Sequence, residues 1–491
     1  MASVIQNGVG DLWADGRKWL SHSPHASAAL LLESRWYVAM GQTAQIFARK
    51  IKESSRWCRV KLGMDLQPLR SLPTFRRLFL ASAVTNLGSQ ATYVTIAFEM
   101  SQLTHSVLAV GAIGLVEFLP LIIFGLYGGV LADAVNRKTM LVATEVALLC
   151  CSSALLLNSL RHSPSVALLY VVIGAQVIAA GLQGPSLDSL RQQVVPHEWQ
   201  AQATTLSMFQ RTVASIAGPA LGGLLAVSVG CWSVYSIDCI SFLGSLVLLA
   251  RVVAPARVVA RSAVSFSALW SGVRYAVTRR DLLGTYLIDL SAMLLAYPLA
   301  MLPFVAQQFH QRFALALLYA ALPLGALGAS LTSRWSVKVH HYGKAIALAA
   351  GGWGLGIALF GWSSSLALAV AGLFIAGWAD AISAIFRGTM WNQSIPTEVR
   401  GRMAGIELLS YSVGPTLGQS RSGIMAAAFT LKTSLIAGGL ACTGVCAGLA
   451  AALPSMWRFD VSNDPNVALV KASKPLGEPD SSLKNSPRDA S

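Results

Sequence analysis

Charged side chains are scarce in this chain. Asp, Glu, Lys and Arg together make up 12% of its 491 residues, whereas roughly 25% is usual in a soluble globular protein. Apolar residues account for 54%, and the mean hydropathy is +0.57. This composition excludes an ordinary soluble domain and predicts a protein embedded in a lipid bilayer.

Signatures of several enzymes and cofactor sites are also missing. Gly343-Lys344 is followed by Ala345, so the chain has no Gly-x-x-x-x-Gly-Lys-Ser/Thr loop to bind ATP. His197-Glu198 lacks the second histidine of a zinc protease, and no nucleophile elbow is present. The seven cysteines are not spaced with histidines as metal ligands. We therefore expect no enzyme activity, no cofactor and no metal, and we expect an ion gradient as the energy source.

Apolar runs of membrane-spanning length recur along the chain. A hydrocarbon core of roughly 30 Å takes about 20 helical residues to cross. Six such runs precede a basic segment and six follow it. They lie at 78–98, 106–131, 139–160, 164–187, 205–229, 231–250, 282–305, 313–333, 345–364, 366–386, 403–428 and 433–453. The pattern predicts an all-α integral membrane protein with 12 transmembrane helices in two six-helix halves.

Basic residues are concentrated in the loops after the even-numbered runs. Loops after the odd-numbered runs contain only Arg161, Arg312 and Lys432. Because cytoplasmic loops carry the excess of Lys and Arg, both termini and the central loop are predicted to be cytoplasmic. The net charge of +15 is thus an orientation signal, and we expect the bilayer as partner and no nucleic acid.

The chain divides into five predicted segments. Residues 1–69 form a cytoplasmic extension, in which 36–62 could be a basic helix on the inner leaflet; alternatively, Met64 is the true start. Two six-helix halves at 70–252 and 282–455 flank a cytoplasmic loop at 253–281. Residues 456–491 are rich in Ser, Pro, Asp and Lys, so we predict a disordered tail.

An internal duplication links the two halves. Gln193-Val-Val-Pro196-His-Glu198 recurs 200 positions later as Gln393-Ser-Ile-Pro396-Thr-Glu398. Each copy is followed by a Gly-Pro pair in the next run. Repeats of this kind predict two halves related by an axis along the membrane normal, with a small-molecule substrate bound between them near the midplane.

A glycine, acid and base cluster at 128–138 carries the first family resemblance. It is similar to the loop between helices 2 and 3 of the major facilitator superfamily, although Ala134 and Asn136 depart from the consensus. The matching residues are Gly129, Leu131, Ala132, Asp133, Arg137 and Lys138. The resemblance implies that Asp133 sits near the amino-terminal end of helix 11 and that Arg137 reaches Asp188. These contacts would latch the outward-facing state.

A second motif lies in the fifth run. Gly218, Pro219, Gly222 and Gly223 resemble the core of the motif that marks antiporters within the superfamily, although Ala214 stands where a further glycine is usual. Pro219 bends a helix, and the glycines allow a neighbouring helix to approach closely. The residues therefore indicate either an exporter or helix packing alone.

A closer resemblance covers residues 66–459. The stretches at 66–80, 128–138, 318–333 and 400–403 look like those of the enterobactin (siderophore) exporter-like family of proton-coupled efflux transporters. The resemblance implies a monomer in the cytoplasmic membrane that exports a siderophore or similar amphipathic metabolite by proton antiport. Multidrug or macrolide efflux is the alternative, and a non-transporting sensor or scaffold of the same fold is a minor one.

Charged residues inside the runs are candidates for coupling, because a charge in a span costs about 2.5–3.5 kcal/mol even on mild scales. The acidic ones are Glu117, Glu145, Asp238, Asp289, Asp380 and Glu407. Glu117 is nearest the midplane, while Asp289 and Asp380 belong to helices that line the cavity by resemblance. These three are our proton-coupling candidates. Arg211 and Arg387 are candidates for attracting an anionic substrate, and Arg211 could alternatively form a structural pair with Asp238.

Overall fold

The computed structural model describes residues 66–134, 136–252 and 274–472. Those residues form helices and contain no strand, which confirms the predicted all-α class. The long helices are α1 (Pro73–Thr104), α2 (Val107–Ala134), α3 (Arg137–Ser159), α4 (Val166–Val194), α5 (Gln200–Ser228), α6 (Cys231–Ala250), α7 (Arg280–Ala296), α8 (Ala314–Thr332), α9 (Tyr342–Trp362), α10 (Leu366–Ser394), α11 (Thr397–Ala428) and α12 (Leu431–Ala452). Each predicted run overlies one of them.

Local sequence determines where several helices begin and end. Asn136 caps α3, since its side chain accepts a hydrogen bond from the backbone N–H of Lys138 at 3.0 Å. Asn136, which departs from the consensus glycine, thus serves as the helix cap. Helices α4 and α10 end two residues before Pro196 and Pro396, because proline disfavours helical conformation in the preceding residue.

The main departure from the predicted helices is a break in the run 282–305. Helix α7 stops at Ala296, Tyr297 is extended, and the chain resumes after Pro298 as a 3-10 turn and the short helix Leu302–Gln308. The Ser422 hydroxyl donates a hydrogen bond to the freed carbonyl of Tyr297 at 2.9 Å. Irregular backbone at membrane depth is tolerated where neighbouring helices satisfy it in this way.

The packing of α1–α6 is repeated in α7–α12. In the first set, α1 packs on α5 and α6, α3 on α4 and α6, and α2 on α4. The same pairs recur in the second set when each number is raised by six. The two sets meet where α2 packs on α11 and α5 on α8. This arrangement agrees with the duplication at 193–198 and 393–398, while the boundaries proposed for the segments stay predictions.

Ten helices within the described ranges are long and apolar enough to span a membrane. Helices α1 and α11 are not among the ten. Both are 32 residues long, and both carry hydroxyl, amide and charged side chains that lower their hydropathy. The count of 12 crossings therefore stays a prediction.

Two names are used below for the ends of the bundle. The odd-loop end is where the turns after α1, α3, α5, α9 and α11 lie. The opposite end is the even-loop end.

The prediction of a disordered tail is wrong for residues 456–472. Met456 is completely buried, and the backbone N–H of Val461 donates to the carbonyl of His340 at 3.1 Å. The helix Pro465–Ala472 buries Val467 and Val470. These valines are three positions apart, a helical spacing that the polar composition conceals. Residues 473–491 lie outside the described ranges.

Other predictions also concern undescribed residues. The basic helix at 36–62 and the alternative start at Met64 fall within residues 1–65, and most of the predicted central loop falls within 253–273. Residues 274–278 of that predicted loop are helical.

Ending the chain at Arg458 should lower its thermal stability. The truncation removes Phe459, Val467 and Val470, which are all buried, and burial of such side chains contributes about 1.5–3 kcal/mol each. A chain that ends at Ala472 is the matched control and should unfold at the full-length temperature. Thermal unfolding of the detergent-purified proteins tests this, and equal melting temperatures for both truncations would contradict the packing described here.

Candidate functional site

A buried ion pair lies in the second half of the bundle. Asp289 on α7 bonds Arg387 on α10, and the two side chains are 3% and 8% exposed. The Ser410 hydroxyl on α11 donates to Asp289 Oδ2 at 2.9 Å. Asp380, about two helical turns before Arg387 on α10, lies 3.9 Å from Arg387 Nη2. The structure thus brings three sequence candidates, Asp289, Asp380 and Arg387, into one cluster.

The charges of this cluster would be unbalanced by the uptake of a proton. Two carboxylates share one guanidinium, so protonation of Asp289 would remove the main partner of Arg387 and leave Asp380 beside it. Arg387 Nε has no hydrogen-bond partner, which leaves one donor available to another acceptor. Leaving one charge of a buried ion pair without its partner costs free energy. Binding of a proton or an anion at this cluster would therefore alter the relative stability of different helix arrangements.

A second polar group lies where the two halves meet. Gln419 Nε2 on α11 donates to the Tyr93 hydroxyl on α1 at 2.9 Å. Glu117 on α2 is buried and lies within electrostatic range of Tyr93 and of Tyr297 at the α7 break. Glu117 therefore lies near tyrosine hydroxyls where the halves meet, and its position at the membrane midplane stays a prediction.

The space beside this group is nearly closed. The cavity that Tyr93, Tyr319 and Gln419 help to line measures about 10 Å³, roughly the room for one water. Toward the odd-loop end, a Cβ added to Gly111 on α2 would meet the Gly423 Cα at 2.7 Å. The Ser420 hydroxyl donates to the Gly111 carbonyl across the same contact at 3.0 Å. The halves are therefore shut against each other on this side.

The glycine motif of α5 lies at two helix contacts, one with α1 and one with α8. A Cβ on Gly222 would meet the Cα of Ala91 on α1 at 2.7 Å, and one on Gly218 would meet the Gln90 Cβ at 2.6 Å. A Cβ on Gly223 would meet the backbone of Ala316 on α8 at 3.1 Å. The motif thus packs α5 within its own half and against the other half, while its association with export stays a prediction.

A larger pocket of about 330 Å³ lies toward the even-loop end, between α1, α4 and α5. Arg211 Nη2 contacts Asp188 Oδ1 at 2.8 Å, with the Arg211 side chain 56% exposed. Arg191 also contacts Asp188, at 3.4 Å, and donates to the Ser82 hydroxyl at 2.7 Å. Tyr411 on α11 lies within electrostatic range of Arg211. Arg211 therefore lies on the face of α5 that is directed toward the second half.

The sequence suggested two pairings, Asp238 with Arg211 and Arg137 with Asp188. The proposed Asp238–Arg211 pair is wrong, because Arg211 bonds Asp188 and Asp238 bonds hydroxyl groups instead. The predicted Arg137–Asp188 latch contact stays a prediction, as the Asp188 contacts given above concern one state of the bundle. Side chains of Gly129, Leu131, Ala132 and Asp133 lie outside the described set, while the Lys138 ammonium donates to the Val252 carbonyl at 2.7 Å.

Sequence reasoning missed four site residues. Tyr93, Gln419 and Ser410 are uncharged, so a search for intramembrane charges passes over them. Arg191 follows the fourth predicted run, where a basic residue is expected to be an exposed loop charge, whereas the structure buries it. The Tyr297-Pro298 step was the available signal for the break in α7, since proline cannot continue the helix ladder.

Comparison with known proteins decides the family. Residues 64–474 match the profile of the family described as transmembrane secretion effector. The chain belongs to this family, within the major facilitator superfamily. Among its curated relatives is the enterobactin exporter EntS of Shigella flexneri, which is 28% identical over 380 residues, or 77% of this chain and 90% of EntS. EntS of Escherichia coli O157:H7 (strain EC4115 / EHEC) is 27% identical over 383 residues, with 77% and 91% covered.

Solved structures agree on the fold. A bacterial homologue of the human lysosomal transporter Spinster, in an inward-facing and unoccupied conformation, superposes with a TM-score of 0.64 at 15% identity, covering 78% of this chain and 97% of that one. The nucleoside transporter NupG gives 0.58 at 15% identity, covering 79% and 100%. At such identities the likeness concerns the fold alone. Together with the family match, these comparisons identify the chain as a multi-pass membrane transporter and not an enzyme.

Exchanging one member of the buried ion pair should destabilise this transporter more than exchanging both. Arg387→Gln leaves Asp289 charged without its guanidinium, at an expected cost of about 3–5 kcal/mol. The double variant Asp289→Asn, Arg387→Gln removes both charges and should regain most of the loss. Glu198→Gln is the control, because it changes an exposed carboxylate outside the long helices. Unfolding in detergent measures this, and additive losses in the double variant would contradict coupling of the pair.

Proposed function

We propose that this transporter exports a siderophore or a similar small amphipathic metabolite from the cytoplasm by proton antiport. The observation that carries the proposal is the relationship to enterobactin exporters, which extends over 90% of the Shigella flexneri protein. Glu117, a buried carboxylate where the halves meet, supports the choice of protons. An ion gradient is also the energy source expected for a chain without a phosphate-binding loop.

The proposed direction rests on charge and on the closed end of the bundle. The excess of Lys and Arg at the even-loop end favours a cytoplasmic position for that end and for both termini. The tight approach of Gly111 to Gly423 then lies on the outer side, which supports our assignment of this conformation as the inward-facing one. A substrate would enter from the cytoplasm past Arg211, whose guanidinium would attract an anionic group.

Glu117 and Asp289 take different parts in the proposed exchange. Glu117 lies within electrostatic range of Tyr93 and Tyr297, where hydroxyls and a carboxylate could bind polar groups of an amphipathic metabolite. Asp289 is held by Arg387 and Ser410, where proton uptake would free Arg387. Protons taken up from outside would favour the inward-facing state, and their release to the cytoplasm would accompany loading of the substrate.

Complementation tests cargo and energy source together. A siderophore-producing strain that lacks its own exporter should regain release of the siderophore when it expresses this chain, and a protonophore should abolish that release. Glu117→Gln should reduce release to near background, whereas Glu198→Gln, at an exposed carboxylate outside the long helices, should leave it unchanged. All proteins are first quantified in the membrane fraction.

Absence of release from a correctly inserted protein would overturn the siderophore proposal. The same strains would then be challenged with macrolides and cationic dyes, for which a lowered susceptibility that depends on the protonophore indicates drug efflux. A chain that moves neither class of compound would point to the sensor or scaffold alternative.

The loop between α2 and α3 yields a separate prediction. We propose that Asp133 latches the outward-facing state, as the family resemblance implies. Asp133→Asn should abolish export while membrane insertion is retained, because it removes the charge but keeps the side-chain shape. Full activity in this variant would exclude the latch.

A further inference from the structure

A polar seam runs through the first half of the bundle, where α1, α3 and α6 pack together. It consists of buried hydroxyl and carboxyl side chains, and none of them belongs to the site described above. Its main members are Thr92, Glu99, Glu145, Ser152, Asp238 and Ser245. Their relative exposures are all between 0% and 5%.

Asp238 on α6 is the centre of the seam. Its Oδ2 accepts a hydrogen bond from Thr92 Oγ1 on α1 at 2.8 Å and from Ser152 Oγ on α3 at 2.6 Å. Ser241 Oγ lies 3.4 Å from the other carboxylate oxygen. A Cβ added to Gly88 would clash with that oxygen, so α1 approaches α6 closely at this point. One carboxylate thus holds three helices together.

Two more carboxylates flank Asp238. Toward the odd-loop end, the Tyr235 hydroxyl donates to Glu99 Oε2 at 2.5 Å. Toward the even-loop end, Gln183 Nε2 on α4 donates to Glu145 Oε1 at 3.0 Å. Tyr235 and Glu145 both lie within electrostatic range of Asp238. From Tyr235 to Ser245, α6 rises about 15 Å, so the seam extends through much of the half.

The seam has unfilled hydrogen-bonding capacity at its even-loop side. Glu145 Oε2 and the Ser245 hydroxyl are both buried without a hydrogen-bond partner in this conformation, and the Ser245 hydroxyl lies close enough to act on the Glu145 carboxylate. No Lys or Arg pairs with Glu99, Glu145 or Asp238 in the part of the chain that the structure describes. The other titratable groups facing the seam are Tyr235, Cys231 and Cys239. These groups are neutral at physiological pH and do not offset the negative charge.

The duplicated interface in the second half shows that packing does not require carboxylates. The equivalent helices are α7, α9 and α12, and neither α9 nor α12 contains Asp or Glu. There a Cβ on Gly354 would meet the Gly439 carbonyl oxygen at 2.5 Å, and Cys442 and Cys446 are buried beside them. Since the same architecture packs with glycine and cysteine, it does not require the carboxylates of the first half, which are therefore candidates for a further role.

We infer that the polar seam is a second proton-binding site, in which Glu145 and Asp238 take up and release the proton. This inference rests on the proposed proton antiport. A proton from water would bind to a carboxylate oxygen and convert it to a neutral carboxyl group, and the same proton would later leave to water at the other end. No other bond is made or broken. Glu145 Oε2, which has no partner, is the free acceptor, and Ser245 can relay the proton to it.

Proton binding at the seam can reach the junction of the halves through α1. Thr92 bonds Asp238, and its neighbour Tyr93 accepts from Gln419 of the second half. Protonation of Asp238 turns one acceptor oxygen into a donor, which weakens its hold on Thr92 and Ser152. A shift of α1 at Thr92 would therefore move Tyr93 against α11.

Infrared difference spectroscopy tests the inference without any substrate. The purified full-length chain in lipid nanodiscs is taken through a pH step, and the carbonyl stretch of protonated carboxyl groups is recorded. Glu145→Gln and Asp238→Asn should each remove or shift a band that titrates in the parent protein. Glu198→Gln, which changes an exposed carboxylate, should leave that band in place. A titrating band that is identical in all four proteins would overturn the inference.

A second measurement guards against misfolded variants. Ser245→Ala keeps both carboxylates and removes only the unpartnered hydroxyl, so it should shift the Glu145 band while the melting temperature stays near that of the parent. No shift in this stable variant would exclude the relay through Ser245.

The two proposals fail in different ways. If the chain exports no siderophore but the carboxyl band of the seam titrates, the proposed cargo is wrong and the inference that the seam binds a proton stands. If siderophore export is driven by protons but neither seam variant affects the band or the protonophore-sensitive part of export, the seam is not a proton site.

Discussion

The cost of an unsatisfied polar group in hydrocarbon governs this structure. Backbone groups meet that demand by forming helices, and where α7 breaks after Ala296 the Ser422 hydroxyl satisfies the exposed Tyr297 carbonyl. Side chains meet it by pairing, as Asp289 does with Arg387. Because each buried charge is expensive, the positions at which the chain keeps one are those at which function is to be sought.

Duplication allows the two halves to be compared with each other. Their helices pack in the same pairs, yet their interiors differ in kind. The first half contains carboxylates held only by hydroxyl and amide groups, as at Asp238, whereas the second half contains a carboxylate held by a guanidinium. Packing alone cannot account for this difference, since one architecture accommodates both interiors.

Much of the fold could be predicted from the sequence, because a span needs about 20 apolar residues and leaves a visible run. The repeat at 193–198 and 393–398 likewise indicated two halves. Pairings could not be predicted, since they depend on which faces of distant helices meet: Asp289 and Arg387 were both candidates, but nothing in the sequence joins α7 to α10. Arg211 bonds Asp188 instead of Asp238, and Tyr93 and Gln419 carry no charge that would reveal them.

The two interiors respond to a proton in opposite ways. A proton added to the seam of Glu145 and Asp238 removes a negative charge that has no cation, so it lowers the cost of burial. A proton added to Asp289 removes the partner of Arg387 and leaves a buried positive charge that only Asp380, 3.9 Å away, can offset. On the proposed antiport, the proton and the substrate alternate, so the charged Asp289–Arg387 pair belongs to the step in which the proton has left and the substrate loads. The first half is therefore suited to hold a proton with its helices in place, whereas a proton in the second half disrupts a buried ion pair.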